Sequence, residues 1–289
     1  MSSCLPLLPL LLTVAVCLPS PSLVDLTHPV SEASLSWPSS GNFEITTSFR
    51  GQVGGPEPEG WWYESREFQQ AEHSGTHLDA PAHFFEGGWT VEQIPVDRLV
   101  GPGVMVDIVD KVEEQGLDTE LEVADLAAWE EEHGAIPWGA VVIVHTGHGR
   151  FYTNASAYWG RPAELELGEE DTEHLHFPGV SEAAARWLVE ERGVRGVGLD
   201  TPSTDLGQSR TFPTHRVLSA ANVWGLENLA DTEDLPPRGF TVLAMVHRLE
   251  GGSGGPARVV AWLEEGAAAS GALMVLNPMI LLVMFYNFM

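Results

Sequence analysis

Between His73 and Phe84 the chain runs His-Ser-Gly-Thr-His-Leu-Asp-Ala-Pro-Ala-His-Phe, three imidazoles and one carboxylate in a dozen residues. The stretch constrains the backbone as well as the chemistry. Pro81 pushes Ala80 into an extended conformation, and Gly75 followed by β-branched Thr76 argues against a helix, so the run reads as a turn entering a strand. On a strand alternate residues point the same way, so His77 and Asp79 share a face, and the turn at Gly75 folds His73 back toward them. Neutral imidazole with carboxylate suits zinc, manganese or iron(II). A lone histidine is more often a packed or capping residue, but four ligand-type side chains converging at strand spacing point to a metal site.

The same residues resemble the signature of the cyclase family of metal-dependent hydrolases, whose members include bacterial kynurenine formamidase and isatin hydrolase. The likeness continues through Leu23-Val24-Asp25-Leu26-Thr27-His28-Pro29-Val30, Trp37-Pro38, Gly198-Leu199-Asp200-Thr201-Pro202-Ser203-Thr204-Asp205, Phe212-Pro213-Thr214-His215 and Gly225-Leu226-Glu227-Asn228-Leu229, covering about Leu23 to Ala261. It implies that His73, His77 and Asp79 bind metal and that His83 is the acid/base. Formamidase-type members hold a second metal with a later histidine and a glutamate twelve residues beyond, a spacing that His215 and Glu227 reproduce. Single-metal members also exist, so the implied cofactor is a divalent metal, zinc or manganese, as one ion or two. The resemblance further implies an α/β chain with the swivelling β/β/α fold in a single domain, and a homodimer. His148 departs from the pattern, because relatives often carry an aromatic residue there, and this bears on substrate identity.

The two ends fall outside the likeness. Leu5 to Leu18 is an apolar run of signal-peptide length and Ser20-Pro21-Ser22 supplies small residues for cleavage, although a basic n-region is missing, so residues 1–22 are expected to be a signal peptide. The alternative, a buried N-terminal helix, is opposed by Pro6, Pro9 and Pro19. Cleavage would remove Cys4 and Cys17, the only cysteines, leaving packing and metal rather than disulfides to stabilise domain 23–264. Residues 265–289 form a hydrophobic tail behind a small-residue patch. They read as a glycosylphosphatidylinositol-anchor signal, with a membrane span or a variant tail from splicing or gene modelling as rivals. The expected location is secreted or on the outer surface, attached to the membrane through the tail, where the sequon Asn154-Ala155-Ser156 becomes usable.

A formal charge of −27, with Lys111 the only lysine, excludes a generic nucleic-acid binder and disfavours anionic lipid. Runs such as Glu130-Glu131-Glu132 read as a solvated, repelling surface.

Along the chain, Gly103 to Val109 and Ala140 to Val144 read as strands, the second buried on both faces, with a helix over Val123 to His133 between them. Ser181 and Glu182 look like the cap and first turn of a helix that Gly193 ends, followed by a strand over Val194 to Leu199. Asp200 stands at that strand's end, where α/β proteins place functional groups; it and Asp205 either position ligands or substrate or simply cap turns. Phe240 to His247 and Ala257 to Leu263 supply the last strands. The glycine-rich Gly251 to Gly255 lacks a following lysine and helix, which excludes a phosphate loop and leaves a hairpin connection. Of the tryptophans, Trp37 and Trp61 are candidates for an aromatic pocket wall beside the metal.

The expected activity is amide hydrolysis by metal-activated water, on aryl formamides such as N-formylkynurenine or cyclic amides such as isatin, with His83 moving the proton. The small-molecule substrate is contacted by Trp37, Trp61 and Asp200. The alternative is a catalytically inactive surface or binding protein that keeps the fold. Loss of His83 or of a ligand would favour it, and none is lost.

Overall fold

The computed structural model describes residues 22–38, 40–55, 57–161 and 174–264. The expected signal segment, apart from Ser22, and the C-terminal tail lie outside the described residues, among which no helix is long and apolar enough to cross a membrane.

In chain order the strands are β1 (Leu23–Asp25), β2 (Glu44–Val53), β3 (Trp61–Gln69), β4 (His77–Asp79), β5 (Val100–Asp107), β6 (Glu120–Leu121), β7 (Val141–His145), β8 (Gly179–Val180), β9 (Gly196–Leu199), β10 (Trp224–Glu227), β11 (Arg238–Val246) and β12 (Gly254–Leu263). The helices are α1 (Val109–Gln115), α2 (Val123–His133), α3 (Ala155–Tyr158), α4 (Glu182–Arg192) and α5 (Pro213–Ala220). Seven strands close into a barrel in the order β12, β11, β5, β7, β9, β10, β4, because β4 pairs back onto Gly254–Pro256 of β12. Strands β5, β7, β9 and β10 run parallel and are linked through helices, the connection parallel strands require. The result is the single α/β domain that the resemblance implies.

Strand β7 shows why its sequence has no polar alternation. Val141 and Ile143 pack inside the barrel with Met105, Leu226 and Val242, whereas Val142 and Val144 pack outward against Leu126, Ala185 and Leu188 of the helices. Both faces are buried, so a continuous apolar run is required. The parallel strands also approach closely enough to demand glycine: a Cβ on Gly196 would stand 2.2 Å from the ring of Trp224.

Helix α2 spans the residues its sequence predicts. Helix α4 starts from Ser181, whose side chain accepts from the Ala184 amide, and stops at Gly193 in the left-handed region at φ 53°. Strand β5 lies earlier than its apolar pattern suggests, at Val100–Asp107, since Asp107 turns its carboxylate to the Val109 amide (2.8 Å) and Val109 opens α1. Strands β2 and β3 form a separate antiparallel hairpin, exposed along nearly its whole length, whose Trp61, Trp62, Tyr63 and Phe68 face solvent.

Candidate metal centre

The loaded segment folds as a turn into a strand. Gly75 takes φ 63°, β4 carries His77 and Asp79 on one face, and Pro81 starts a short 3-10 turn that ends on His83. Antiparallel pairing places Glu227 of β10 opposite His77. The first turn of α5 adds His215. The imidazole Nε2 of His77 lies 3.2 Å from Asp79 Oδ1 and 3.3 Å from Glu227 Oε2; that of His215 lies 3.2 Å from Asp79 Oδ2 and 3.1 Å from Glu227 Oε1. His73 Nδ1 meets Asp79 Oδ1 at 2.6 Å, and the His83 ring stacks on His73 with centroids 3.9 Å apart.

These residues form two donor clusters, His73–Asp79–His83 and His77–Asp79–Glu227, each with ligand atoms within 4.8 Å of one another. Asp79 belongs to both. His73 and His77 both meet Asp79 Oδ1, whereas His215 meets Asp79 Oδ2 and Glu227; β-sheet register also ties His77 to Glu227, and the 3-10 turn brings His83 into ligand range of His73 and Asp79.

The donors fit a divalent cation. His77 donates Nδ1–H to the Gly75 carbonyl (2.8 Å), which orients the ring and turns the buried Nε2 toward Asp79 and Glu227. His215 is oriented in the same way by Asp205, which accepts from Nδ1 at 2.5 Å and also takes the Thr214 and His215 amides at 2.9 and 3.1 Å, capping α5. His73 directs Nε2 to Ser253 Oγ (3.0 Å), which donates to Glu72 (2.7 Å), and Thr204 N–H donates to Glu227 (2.9 Å). A Cβ on Gly254 would come within 2.4 Å of the His73 ring, so that imidazole can sit only over a glycine.

The titration of these groups follows from packing. Burial opposes a charge on His77, but Asp79 and Glu227 outweigh it and push the pKa up to about 10. His215 is likewise disfavoured by burial yet raised well above its usual value by Asp205, Asp79 and Glu227. Burial works against ionising Asp79, and the His73 and His77 imidazoles reverse this and hold it well below the carboxylate range. Protons thus stand where a cation's charge belongs, and metal must displace them. Burial dominates at His83 and pushes it down to about 4, so it is neutral at pH 7 instead of titrating near neutrality.

Beside the clusters lies a cavity of about 250 Å³. Trp37 lines it, as expected, together with Phe84, Trp159 and Phe212. Two expected substrate contacts need correction. Trp61 stands on the projecting hairpin, 58% exposed, and is not among the lining residues. Asp200 is buried with its carboxylate engaged by Thr146 N (3.0 Å), Thr146 Oγ1 (2.6 Å) and Gly149 N (3.2 Å), so it joins the ends of β9 and β7 rather than meeting substrate. His148 also lies outside the lining: it is buried, with Nε2 on the Tyr158 carbonyl at 2.7 Å. Ser253 carries no sequence signal, because its contact with His73 depends on a hairpin 180 residues away closing onto the motif, and Glu72 joins the set through Ser253.

A histidine and carboxylate centre at the mouth of an aromatic pocket defines a metal-dependent hydrolase site. The chain belongs to the cyclase family: a family model described as "Putative cyclase" matches residues 24–206. An isatin hydrolase from Roseibium aggregatum is 34% identical over 203 residues, 66% of this chain and 71% of that protein. A kynurenine formamidase from Salinibacter ruber is 26% identical, over 83% of this chain and 96% of its own length. Among solved structures, isatin hydrolase A from Ralstonia solanacearum superposes with a TM-score of 0.72 at 35% identity, covering 84% of this chain and 92% of that one.

Proposed function

We propose that this protein hydrolyses aryl formamides or cyclic amides, the substrates for which its kynurenine formamidase and isatin hydrolase relatives are named, using zinc or manganese as one ion or two. The observation that carries the reading is Asp79, shared between two donor clusters that open onto an aromatic pocket. His73, Asp79 and the neighbouring imidazoles would hold one ion; His77, Glu227 and His215 would hold the other. When bound, a divalent cation supplies Lewis acidity, making water nucleophilic near neutral pH and polarising the amide carbonyl. His83, neutral at pH 7 and stacked on His73, accepts the proton of the attacking water and returns it to the departing nitrogen as the C–N bond breaks. Trp37, Trp159, Phe84 and Phe212 hold the aryl ring against the reacting centre and exclude bulk water.

Elemental analysis of the purified chain with a hydrolysis screen over aryl formamides and cyclic amides tests this. Zinc or manganese near one or two equivalents, with turnover abolished by chelation and restored by the metal, is the expected result. A protein that binds no divalent metal, or turns over none of these amides when loaded, sinks the proposal.

A further inference from the structure

Tyr158, the last residue of α3, hydrogen-bonds none of the metal donors, yet a single residue joins it to them. Its fully buried ring stacks on His148, with centroids 5.2 Å apart, and meets Tyr152 edge-on at 5.4 Å. Burial holds its hydroxyl well above the usual pKa, so it remains a donor, and it donates to Asn228 Oδ1 at 2.9 Å. Asn228 follows Glu227 directly and takes φ 55°, in the left-handed region that asparagine tolerates. Its backbone N–H donates to the Thr201 carbonyl at 2.9 Å, and its carbonyl accepts from Thr76 Oγ1 at 2.6 Å. Its Nδ2 donates to the Gly75 carbonyl at 2.9 Å, the same oxygen that accepts from His77 Nδ1–H. A carbonyl can only accept, so the amide nitrogen faces Gly75 and Oδ1 turns to Tyr158.

We propose that Asn228 is a positioning residue for His77, and that Tyr158 holds Asn228 in that role. The proposal rests on the reading above in which His77 holds an ion. Gly75 takes φ 63° and has no Cβ, so the peptide plane that carries its carbonyl is the easiest in the motif to rotate. Rotation would carry the carbonyl off Nδ1 and let the imidazole swing, moving Nε2 away from Asp79 and Glu227, which it faces at 3.2 and 3.3 Å. A carbonyl oxygen has two lone pairs, and here one takes His77 and the other Asn228, so the plane is held from both sides. Asn228 lines the cavity, but both ends of its carboxamide are already engaged inside the protein, which argues against a contact with substrate. The Tyr158 hydroxyl keeps that carboxamide in its orientation, and His148 and Tyr152 fix the ring that carries the hydroxyl. Hydrogen bonds that orient a ligand in this way govern how tightly the ion is held.

Zinc and manganese titrations of the full chain, read by competition with a chromophoric chelator and paired with thermal unfolding, test this. Asn228→Gly keeps the left-handed backbone without strain and removes the carboxamide, whereas Tyr158→Phe keeps the ring and removes only the hydroxyl. The expected loss of metal affinity is about tenfold or more for Asn228→Gly and a smaller factor, roughly three- to fivefold, for Tyr158→Phe. The double variant should bind no more weakly than Asn228→Gly alone, because both substitutions break the same link. Ser181→Ala, whose hydroxyl bonds Ala184 and Glu122, is the control, with a lowered Tm and wild-type metal affinity. Metal affinity unchanged in both variants, with only Tm lowered, overturns the proposal and leaves Asn228 a turn residue. Unchanged affinity with a raised KM for a formamide makes Asn228 a substrate contact and overturns it equally. Losses that add in full in the double variant overturn the part given to Tyr158. Should the glycine variant fail to fold, Tyr158→Phe decides by the same comparison with the control. A wild-type chain that binds neither metal overturns the metal-centre reading and this proposal together, whereas a metal-loaded chain that hydrolyses no amide overturns the amide reading alone and leaves the affinity comparison in force.

Discussion

His83 and Asp205 show two ways in which a residue serves a metal centre. His83 sits within ligand range of His73 and Asp79, yet burial keeps it neutral at pH 7. If its work is proton transfer, His83→Ala retains its metal and its substrate KM while kcat falls by roughly two to four orders of magnitude. Metal content lost in parallel with turnover would instead make His83 a ligand. Because its pKa lies near 4 instead of near neutrality, the acid limb of the wild-type kcat/KM profile attributable to it belongs well below pH 6. Asp205 touches no substrate; it fixes the ring of His215 and caps the helix that carries it. Asp205→Asn keeps an acceptor for the cap but not the anionic partner of Nδ1. Affinity for the more weakly held ion should then fall about 10–100-fold by metal titration. Unchanged metal affinity with a lowered Tm would leave Asp205 a cap and nothing more. At this scale much was legible: the spacing of His73, His77 and Asp79 and the strand geometry they need are written in a dozen residues. The pairing of Ser253 with His73 was not, since it depends on β12 closing the barrel over the motif.

Elements differ in how openly their sequences declare them, and the difference is physical. Helix α4 carries its own start and stop: the Ser181 hydroxyl meets the Ala184 amide at 3.2 Å and Gly193 supplies the left-handed exit. Ser181→Ala should cost about 1 kcal/mol in chemical denaturation with activity retained, because the Ser181 hydroxyl bonds Ala184 and Glu122 and none of the donor residues. A cost near zero would mean that tertiary packing alone holds the first turn. Helix α5, by contrast, is only eight residues opening with Pro-Thr-His, where the metal-binding pattern of Phe212 to His215 masks the helical one. The β2–β3 hairpin has no such signal, because neither strand packs a face on the core and Trp61 and Trp62 do not fall into a buried alternation. Strand β7 was readable for the opposite reason, as both its faces are covered.

For the whole molecule the governing fact is a surplus of negative charge, net −27, with two of its carboxylates, Asp79 and Glu227, buried at the centre among the imidazoles of His73, His77, His83 and His215. Without a cation the protein substitutes protons, and this makes its stability depend on pH with opposite signs in the two states. In the metal-free protein His77 has its pKa raised from 6.5 to about 10, so between those values the folded state holds a proton that the unfolded chain has released. Stability from this group is therefore complete below about pH 6.5 and is lost as pH climbs through 10. His215 acts in the same direction. In the metal-loaded protein the same imidazoles must be deprotonated to bind, so affinity, and the stability coupled to it, grows as pH rises from acid toward neutral. At neutral pH and metal at a hundred times Kd, binding contributes about 2.7 kcal/mol, a Tm rise of roughly 5–11 °C for a chain of this size. The expected outcome is a pair of Tm curves that diverge between pH 6 and 9, the loaded protein rising above the chelated one. Parallel curves across that range would mean that His77 and His215 do not exchange protons for metal, and would remove them from the ion's coordination sphere.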